Sequence, residues 1–568
     1  MAALRIAAAR SSPPPAAGRT PSTAAQRVAS PTAAGPSPVR PAGIGPRVPG
    51  WVWPLGWALL TLAVGLLVRL PGPATLDPDS HASVLYFDRL VAGDRLEDPL
   101  LSSPKPLLTL VHGLAWHAGH DWRLLEAVTV AAFALAVVCL ARAAARLGGP
   151  PAAAAAALAV AGSGPLVLQA ARGNSMIFAL AAWSVALDAL TGGDRERSGP
   201  WGTWGVAAAA LSVAGLARAE SWLLLPLVAG YGLVGWRRGD RRGLLLLLPL
   251  AAPLLWLAHD WLLTGDPLYA VRVPGRYTDL VSGRQVVPPG DWIALVARRY
   301  AADPLLLVLA AAGTVWLFRR RAWVWLAGLG TTGFGVLALL GLEAWQGTYV
   351  SWRYFDPADV ALRLTAALGA AALATASAGR LAGRGREAGP TPAVAVGGPG
   401  RWAAVGAGGG RGRWAGAAAA AVAGAVLLVG AACWPLAPGD PLVGSTLDRD
   451  SRLSANTATA VTVLRPLAAD PGAVIVASGP QRLRVAVELG LSLDRVRDLF
   501  LAGRAAPLGR ALAGSAAVFH DADGDRPPER FAPLSITTPT RVGSVELVPL
   551  RTDPDRGLYV HRVAQRGG

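Results

Sequence analysis

The sequence is short of lysine and short of charge. Lys and Arg together number 53 in 568 residues, yet the only lysine is Lys105 and every other basic residue is arginine. Charged residues make up 16% of the chain, against about 25% in soluble globular proteins, which excludes that class for most of its length. Cysteine is also scarce. Cys139 and Cys433 both lie in apolar segments, so a disulfide framework and a thiolate metal site are excluded, and both read as small buried hydrophobes. The first 50 residues lack Asp and Glu and are rich in Pro, Ala, Ser and Arg. Such a composition builds no core, and it reads as a disordered tail with some likeness to a transit peptide. The first long apolar run starts only at Trp51, so a cleavable signal pattern is missing. The glycines of GAGGGRGR at 406–413 neither follow a strand nor open a helix, which argues against a phosphate-binding loop.

The net charge of +17 would suit a nucleic-acid partner, but no zinc spacing or aromatic-rich basic groove accompanies it. The arginines instead cluster in short loops between apolar runs, where membrane topology places them. Lipid headgroups are the expected partners of this charge, and nucleic acid is not expected. The loss of lysine, with the excess of Ala, Gly and Pro, looks like a GC-rich coding bias. A lysine that persists under such a bias is a candidate for a place that needs a compact ammonium rather than a planar fork.

What the chain does have is apolar length, with 53% hydrophobic residues. Segments near the roughly 20 residues of a spanning helix occur at 51–70, 124–147, 151–170, 174–192, 203–218, 220–236, 243–263, 303–318, 322–342, 358–378 and 414–436. The expected fold is therefore a polytopic α-helical membrane protein of about eleven transmembrane helices. The expected domains are a cytoplasmic tail at 1–50, a membrane domain at 51–436 and a soluble α/β domain at 437–568. The arginine bias puts the N-terminus inside, with Arg142/Arg146, Arg195/Arg197, Arg237–Arg242, Arg319–Arg321 and a flexible loop at 380–413 on the same side. An odd helix count then places the C-terminal domain outside. In that domain GAVIVAS, AAVFHDA, VELVPL and LYVHRV read as strands, and QRLRVAVELG and the stretch around Leu499–Leu512 as helices. The expected location is a plasma membrane, in a bacterial cell envelope.

The first outside loop, about 72–123, is the most polar part of the membrane domain. It holds Asp77, Asp79, Asp88, Asp94, Glu97, Asp98, Lys105 and four of the seven histidines. A carboxylate just after a membrane helix can take the proton of an acceptor hydroxyl, and a nearby cation can stabilise charge on a leaving phosphate. Asp79 also suits a helix N-cap, and Lys105 a snorkelling interfacial position. His81, His112, His117 and His120 could in principle bind zinc, but the 112/117/120 spacing does not share one helical face, and no metal is expected. A divalent cation stays open as a cofactor.

The order of features here resembles the GT-C superfamily of membrane glycosyltransferases, which includes protein O-mannosyltransferases and aminoarabinose transferases. Asp79-Ser80 stands where that family has an acidic residue after its first membrane helix. SVLYFDRLVAGD matches its amphipathic helix and turn, and Ser103-Pro104-Lys105-Pro106-Leu107-Leu108 its KPPL-like motif. Weaker echoes are Arg218-Ala219-Glu220 for an R-x-E, Thr264-Gly265-Asp266-Pro267 for a G-x-P turn, and Arg353-Tyr354 for an outer R-Y. The acidic pair of the family is here Asp-Ser, with Asp77 two residues earlier, so the base is Asp79 or Asp77. The resemblance implies an inverting transfer of sugar from a polyprenyl-phosphate donor to an acceptor in the cell envelope, a glycan, lipid or protein. It implies Lys105 and Arg353 on the donor phosphate. Arg218, Glu220, His81 and Tyr354 are left as substrate-binding or structural. The alternatives are a transporter or flippase of a lipid or glycolipid, which should show internal repeats and mid-membrane ionisable groups, and a non-catalytic membrane scaffold.

Overall fold

The computed structural model describes residues 76–96, 103–192, 202–273, 291–301, 303–345, 352–387, 441–499, 501, 506–522 and 531–565, with Gly424. The tail, the expected spans at 51–70 and 414–436, the loop positions Glu97 and Asp98, the Arg195/Arg197 loop and all but the first residues of the 380–413 loop lie outside the described residues.

The described residues open on two short helices, α1 (Pro78–Ala92) and α2 (Pro106–Gly119). Each begins on proline, whose fixed φ suits a first helical position. They cross tightly at Gly113, where a Cβ would sit 2.1 Å from Phe87 Cγ, so no larger residue fits there. Next comes α3 (Trp122–Ala161), which joins two helical stretches at Gly149, whose φ of 70° and ψ of −162° leave the helical region. The turn falls between the spans expected at 124–147 and 151–170, ahead of Pro150 and Pro151. The second of those spans is not continuous to 170, however. It stops at Ala161, and α4 (Gly164–Ala171) follows a break at Gly162-Ser163. Pro165 explains the break, since it cannot donate to a preceding helical turn.

A bend of 114° separates α4 from α5 (Ser175–Thr191). Then come α6 (Gly202–Ala217), a 3-10 turn at Ala219–Leu224, and α7 (Leu225–Arg237). A 3-10 stretch at Arg241–Leu250 leads into α8 (Ala251–Thr264). The helices α9 (Trp292–Ala301), α10 (Pro304–Arg319), α11 (Trp323–Trp345, with a π turn at Thr331–Gly335) and α12 (Asp356–Glu387) complete this part. Helix starts and ends fall within a few residues of most of the expected spans.

Among the described residues four helices are long and apolar enough to cross a membrane, counting α3 as one, or six if the bent pairs α4–α5 and α9–α10 each cross as a unit. Their outer faces carry large bare hydrophobes, with Leu254 67%, Phe334 80% and Trp345 74% exposed. Such patches do not persist in water; acyl chains are their natural solvent. The inner faces are built largely of alanine from α3, α5, α10 and α12, around Met176, Ile177, Leu309 and Leu364. Small residues let helices approach closely, which is how packing substitutes for the hydrophobic effect inside a bilayer.

The C-terminal part opens with α13 (Pro441–Ala468), a long polar helix that the sequence reading did not single out. It is followed by β1 (Ile475–Ala477), α14 (Arg482–Leu489), β2 (Val496–Asp498), α15 (Leu508–Leu512), β3 (Ala517–Asp521), β4 (Thr540–Val542), β5 (Val545–Asp553) and β6 (Leu558–Gln565). All four expected strands are present. Around Leu499–Leu512, where helix was expected, Leu499, Leu501 and α15 are helical among the described residues, and Pro507 stands just before α15, where proline suits a helix start. The strands form one mixed sheet in the order β2-β1-β3-β6-β5-β4, parallel across β2-β1-β3 and antiparallel beyond.

This sheet does not close its core alone. Ala82, Leu85 and Tyr86 of α1 and Leu263 of α8 lie in the same buried cluster as Val461, Leu464, Ile475, Phe519 and Val560. The apolar stripe of α1 is thus shared between the helical part and the sheet.

Candidate active site

The N-terminus of α1 carries the two candidate aspartates, and the structure gives them different places. Asp77 is the N-cap: it is 6% exposed, and its Oδ1 accepts a hydrogen bond from the Asp79 N–H at 3.0 Å. Asp79 stands in the first turn, where the positive end of the helix favours a carboxylate. Its Oδ2 lies 2.6 Å from Lys105 Nζ. Lys105 is the residue before Pro106 at the start of α2, with extended φ and ψ of −121° and 109°. Proline forces that extension on the residue before it, so the PKP order aims the lysine back at α1. The side chains of the pair are 15% and 14% exposed, so the pair is largely shielded yet open at one side.

The start of α1 is held by a turn from the far side of the sequence. The Arg172 carbonyl accepts from the Asp77 N–H at 2.8 Å and from Ser80 Oγ at 3.2 Å, and the Gly173 carbonyl accepts from Ser80 Oγ at 3.1 Å. That turn, Arg172-Gly173-Asn174, is the bend between α4 and α5. Gly173 has φ of +71°, and a Cβ on it would stand 2.8 Å from both Leu76 Cδ2 and Ser80 Oγ. Both the conformation and the space demand glycine.

Arg218 and Glu220 form an ion pair, with Nε to Oε2 at 3.1 Å. Glu220 also lies within electrostatic reach of Lys105, so the R-x-E echo comes to the same region as the Asp79–Lys105 pair. Glu343 of α11, a lone acid in an apolar run, lies within reach of Glu220 and Arg218. The sequence reading passed it over, although an ionisable residue in a membrane segment is itself a signal.

Of the other candidates, His81 lies behind the Asp79–Lys105 pair together with His112, and the rest fall elsewhere. His81 is 4% exposed with its ring edge-on to Trp122 at 4.7 Å, so it is walled in. Burial, then the charges of Arg484 and His112, pushes its pKa well below the usual imidazole range. His112 is fully buried, and burial together with the Lys105 charge pushes it down to about 3. His117 pairs with Asp88 at 2.7 Å, and His120 stacks on Trp116 at 5.4 Å. These histidines do not converge, and among the described residues no group of three His, Cys, Asp or Glu is placed to hold a metal. Tyr354 packs beside Val336, Leu340 and Phe355. Arg353 lies in the 3-10 turn Trp352–Phe355, and its side chain lies outside the described residues. The Gly265 turn ends α8 with φ of 74°, and Asp260 accepts from the Ala270 N–H at 2.8 Å across it.

No family model and no curated protein matches the chain. Among solved structures, ArnT from Cupriavidus metallidurans bound to undecaprenyl phosphate is similar over 89% of this chain and 98% of its own, at 16% identity and a TM-score of 0.47. The archaeal oligosaccharyltransferase AglB from Archaeoglobus fulgidus, in complex with an inhibitory peptide and a dolichol-phosphate, is similar over 83% of this chain and 69% of its own, at 13% identity and a TM-score of 0.46. Likeness at this level leaves the chemistry to the residues themselves.

Proposed function

We propose that the chain is a GT-C-like membrane glycosyltransferase that moves a sugar from a polyprenyl-phosphate donor to an acceptor hydroxyl on the extracytoplasmic face. The observation that carries this reading is the Asp79–Lys105 pair at 2.6 Å: the only lysine of an arginine-rich chain meets the aspartate at the head of an amphipathic helix. A carboxylate and an ammonium largely shielded beside lipid-facing helices are what a phosphate-leaving displacement needs.

In the free protein each charge neutralises the other. A donor phosphate competes for Lys105 and releases Asp79 to serve as base. The acceptor oxygen then attacks the anomeric carbon, and its proton passes to Asp79. The bond from that carbon to the phosphate oxygen breaks, and its electron pair leaves on the lipid phosphate, where Lys105 stabilises it. Attack opposite the leaving group inverts the sugar carbon. Arg353 is assigned a supporting place on the same phosphate. Arg218, Glu220 and Glu343 form a charged wall at the sugar or acceptor side.

The test is transfer by purified protein in lipid, from a panel of undecaprenyl- and dolichyl-phosphate sugars, beside Asp79→Asn and Lys105→Ala. The expected result is transfer by the wild type and a fall of about 10²–10⁴-fold in the aspartate variant. Full activity in both variants overturns the site.

A further inference from the structure

The C-terminal sheet has the strand order in which an open α/β sheet usually binds a ligand. β1 is flanked by β2 on one side and β3 on the other, and the crevice at their carboxyl ends is the usual ligand position. Here the chain fills that crevice itself. Asn456 of α13 donates from Nδ2 to Asp521 Oδ2 at 3.0 Å and to the Arg556 carbonyl at 2.8 Å. Ser478 Oγ, at the end of β1, accepts from the Asp521 N–H at 2.7 Å, and Thr457 Oγ1 donates to Gln481 Oε1 at 2.9 Å. Asn456, Thr457, Ser478 and Asp521 are all fully buried. Helix α13 is therefore fixed to the sheet.

Six residues before Asn456 on that helix, Asp450 reaches the other part of the molecule. Its Oδ2 lies 2.6 Å from both Nε and Nη2 of Arg172. The carbonyl of the same Arg172 accepts from the Asp77 N–H and from Ser80 Oγ, the residues on either side of Pro78-Asp79. The connection runs from sheet to α13, to Asp450, to Arg172 and to the first turn of α1. Its Asp450–Arg172 link is charge-assisted, the strong kind of hydrogen bond, and its last links are hydrogen bonds to the Arg172 carbonyl.

We infer that Arg172 and Asp450 are positioning residues: their ion pair lets the C-terminal α/β unit set the placement of Asp79 against Lys105. This rests on the glycosyltransferase reading for its kinetic consequence, but not for its structural one. A displacement of about 1 Å at a reacting group can cost about 100-fold in rate.

The experiment uses the full-length protein in lipid with Asp450→Asn, Arg172→Leu and the exchanged pair Arg172→Asp/Asp450→Arg. Three quantities are read: amide hydrogen exchange over 76–84 and over 482–489, kcat and donor KM for transfer, and the thermal midpoint. Each single variant should speed exchange over 76–84 and leave 482–489 unchanged. It should lower kcat by about 100-fold with donor KM and midpoint held, and the exchanged pair should restore exchange and most of kcat. Unchanged exchange over 76–84 in both single variants overturns the inference. So does a midpoint that falls with exchange rising everywhere and no recovery in the exchanged pair, because that marks a general structural role. If no donor is turned over by any form, the glycosyltransferase reading fails while the exchange data still decide the link.

Discussion

At the residue scale the structure gives different places to two aspartates between which the sequence left the choice of base open. Asp77 spends an oxygen on capping α1, whereas Asp79 faces Lys105. Asparagine caps a helix about as well as aspartate but cannot take a proton. Asp77→Asn should therefore keep most of the transfer activity, and Asp79→Asn should lose it. If Asp77→Asn is the inactive one, with wild-type stability, the assignment of the base is reversed. Lys105→Arg tests the lysine in the same way. A guanidinium keeps the charge but is bulkier and planar, so a site moulded to an ammonium should lose at least about 10-fold in rate, and near-wild-type turnover would reduce Lys105 to a generic cation. The lysine was legible because the arginine bias made it conspicuous. Its partner was half legible, since LDPDS offers two carboxylates and only the fold shows which one faces away from the cap. Arg172 and Asp450 were not legible at all, being 278 residues apart and indistinguishable in sequence from other loop charges.

At the element scale, α1 and α2 form a small polar platform whose interior holds two uncharged histidines. The pKa of His112 falls from 6.5 to about 3 on folding, and that of His81 falls in the same direction, both chiefly through burial. The unfolded chain thus binds protons that the native state refuses, so the contribution of His112 to stability is complete above pH 6.5 and is lost as the pH falls toward 3. That histidine makes the slope about 1.4 kcal/mol per pH unit across the window, and His81 acts in the same direction. The pH dependence of unfolding of the purified protein between pH 6.5 and 5 should become less steep in His112→Leu than in the wild type; an unaltered slope would show that the imidazole is reached by water or protonated in place. The turn that receives α1 is equally constrained. Gly173→Ala puts a Cβ into a left-handed residue and within 2.8 Å of Leu76 and Ser80, which should cost at least about 1 kcal/mol as a lower thermal midpoint. Helical spans were readable here from hydropathy alone. The breaks before and after α4 were signalled by Ser163-Gly164-Pro165 and Arg172-Gly173-Asn174, but a 20-residue hydropathy window averages across them. Helix α13 escaped notice because its middle, RDSRLSANTATAV, shows no long apolar run.

At the scale of the whole molecule, the sequence suggested two self-sufficient parts, one for the membrane and one outside it. The packing is less divided. Tyr86, Leu85 and Ala82 of α1 are buried among Leu464, Ile475, Leu483 and Phe519, and Trp122 Nε1 donates to Glu488 Oε1 at 2.8 Å across the same boundary. A tyrosine or leucine side chain that loses such burial forfeits about 1.5–3 kcal/mol, and a lone α/β unit would also present the vacated surface to water. Residues 441–568 expressed alone should therefore bind a hydrophobic dye and self-associate, while remaining able to capture a separately expressed 1–440 fragment in lipid. In that mixture, sugar transfer should return together with the capture and saturate at equal amounts of the two fragments. A 441–568 fragment that stays monomeric, unfolds cooperatively and binds no dye would mean that the sheet completes its core without α1. In that event transfer by the 1–440 fragment alone would be the decisive quantity, because a catalytic helix that needs no support from the sheet would retain its rate.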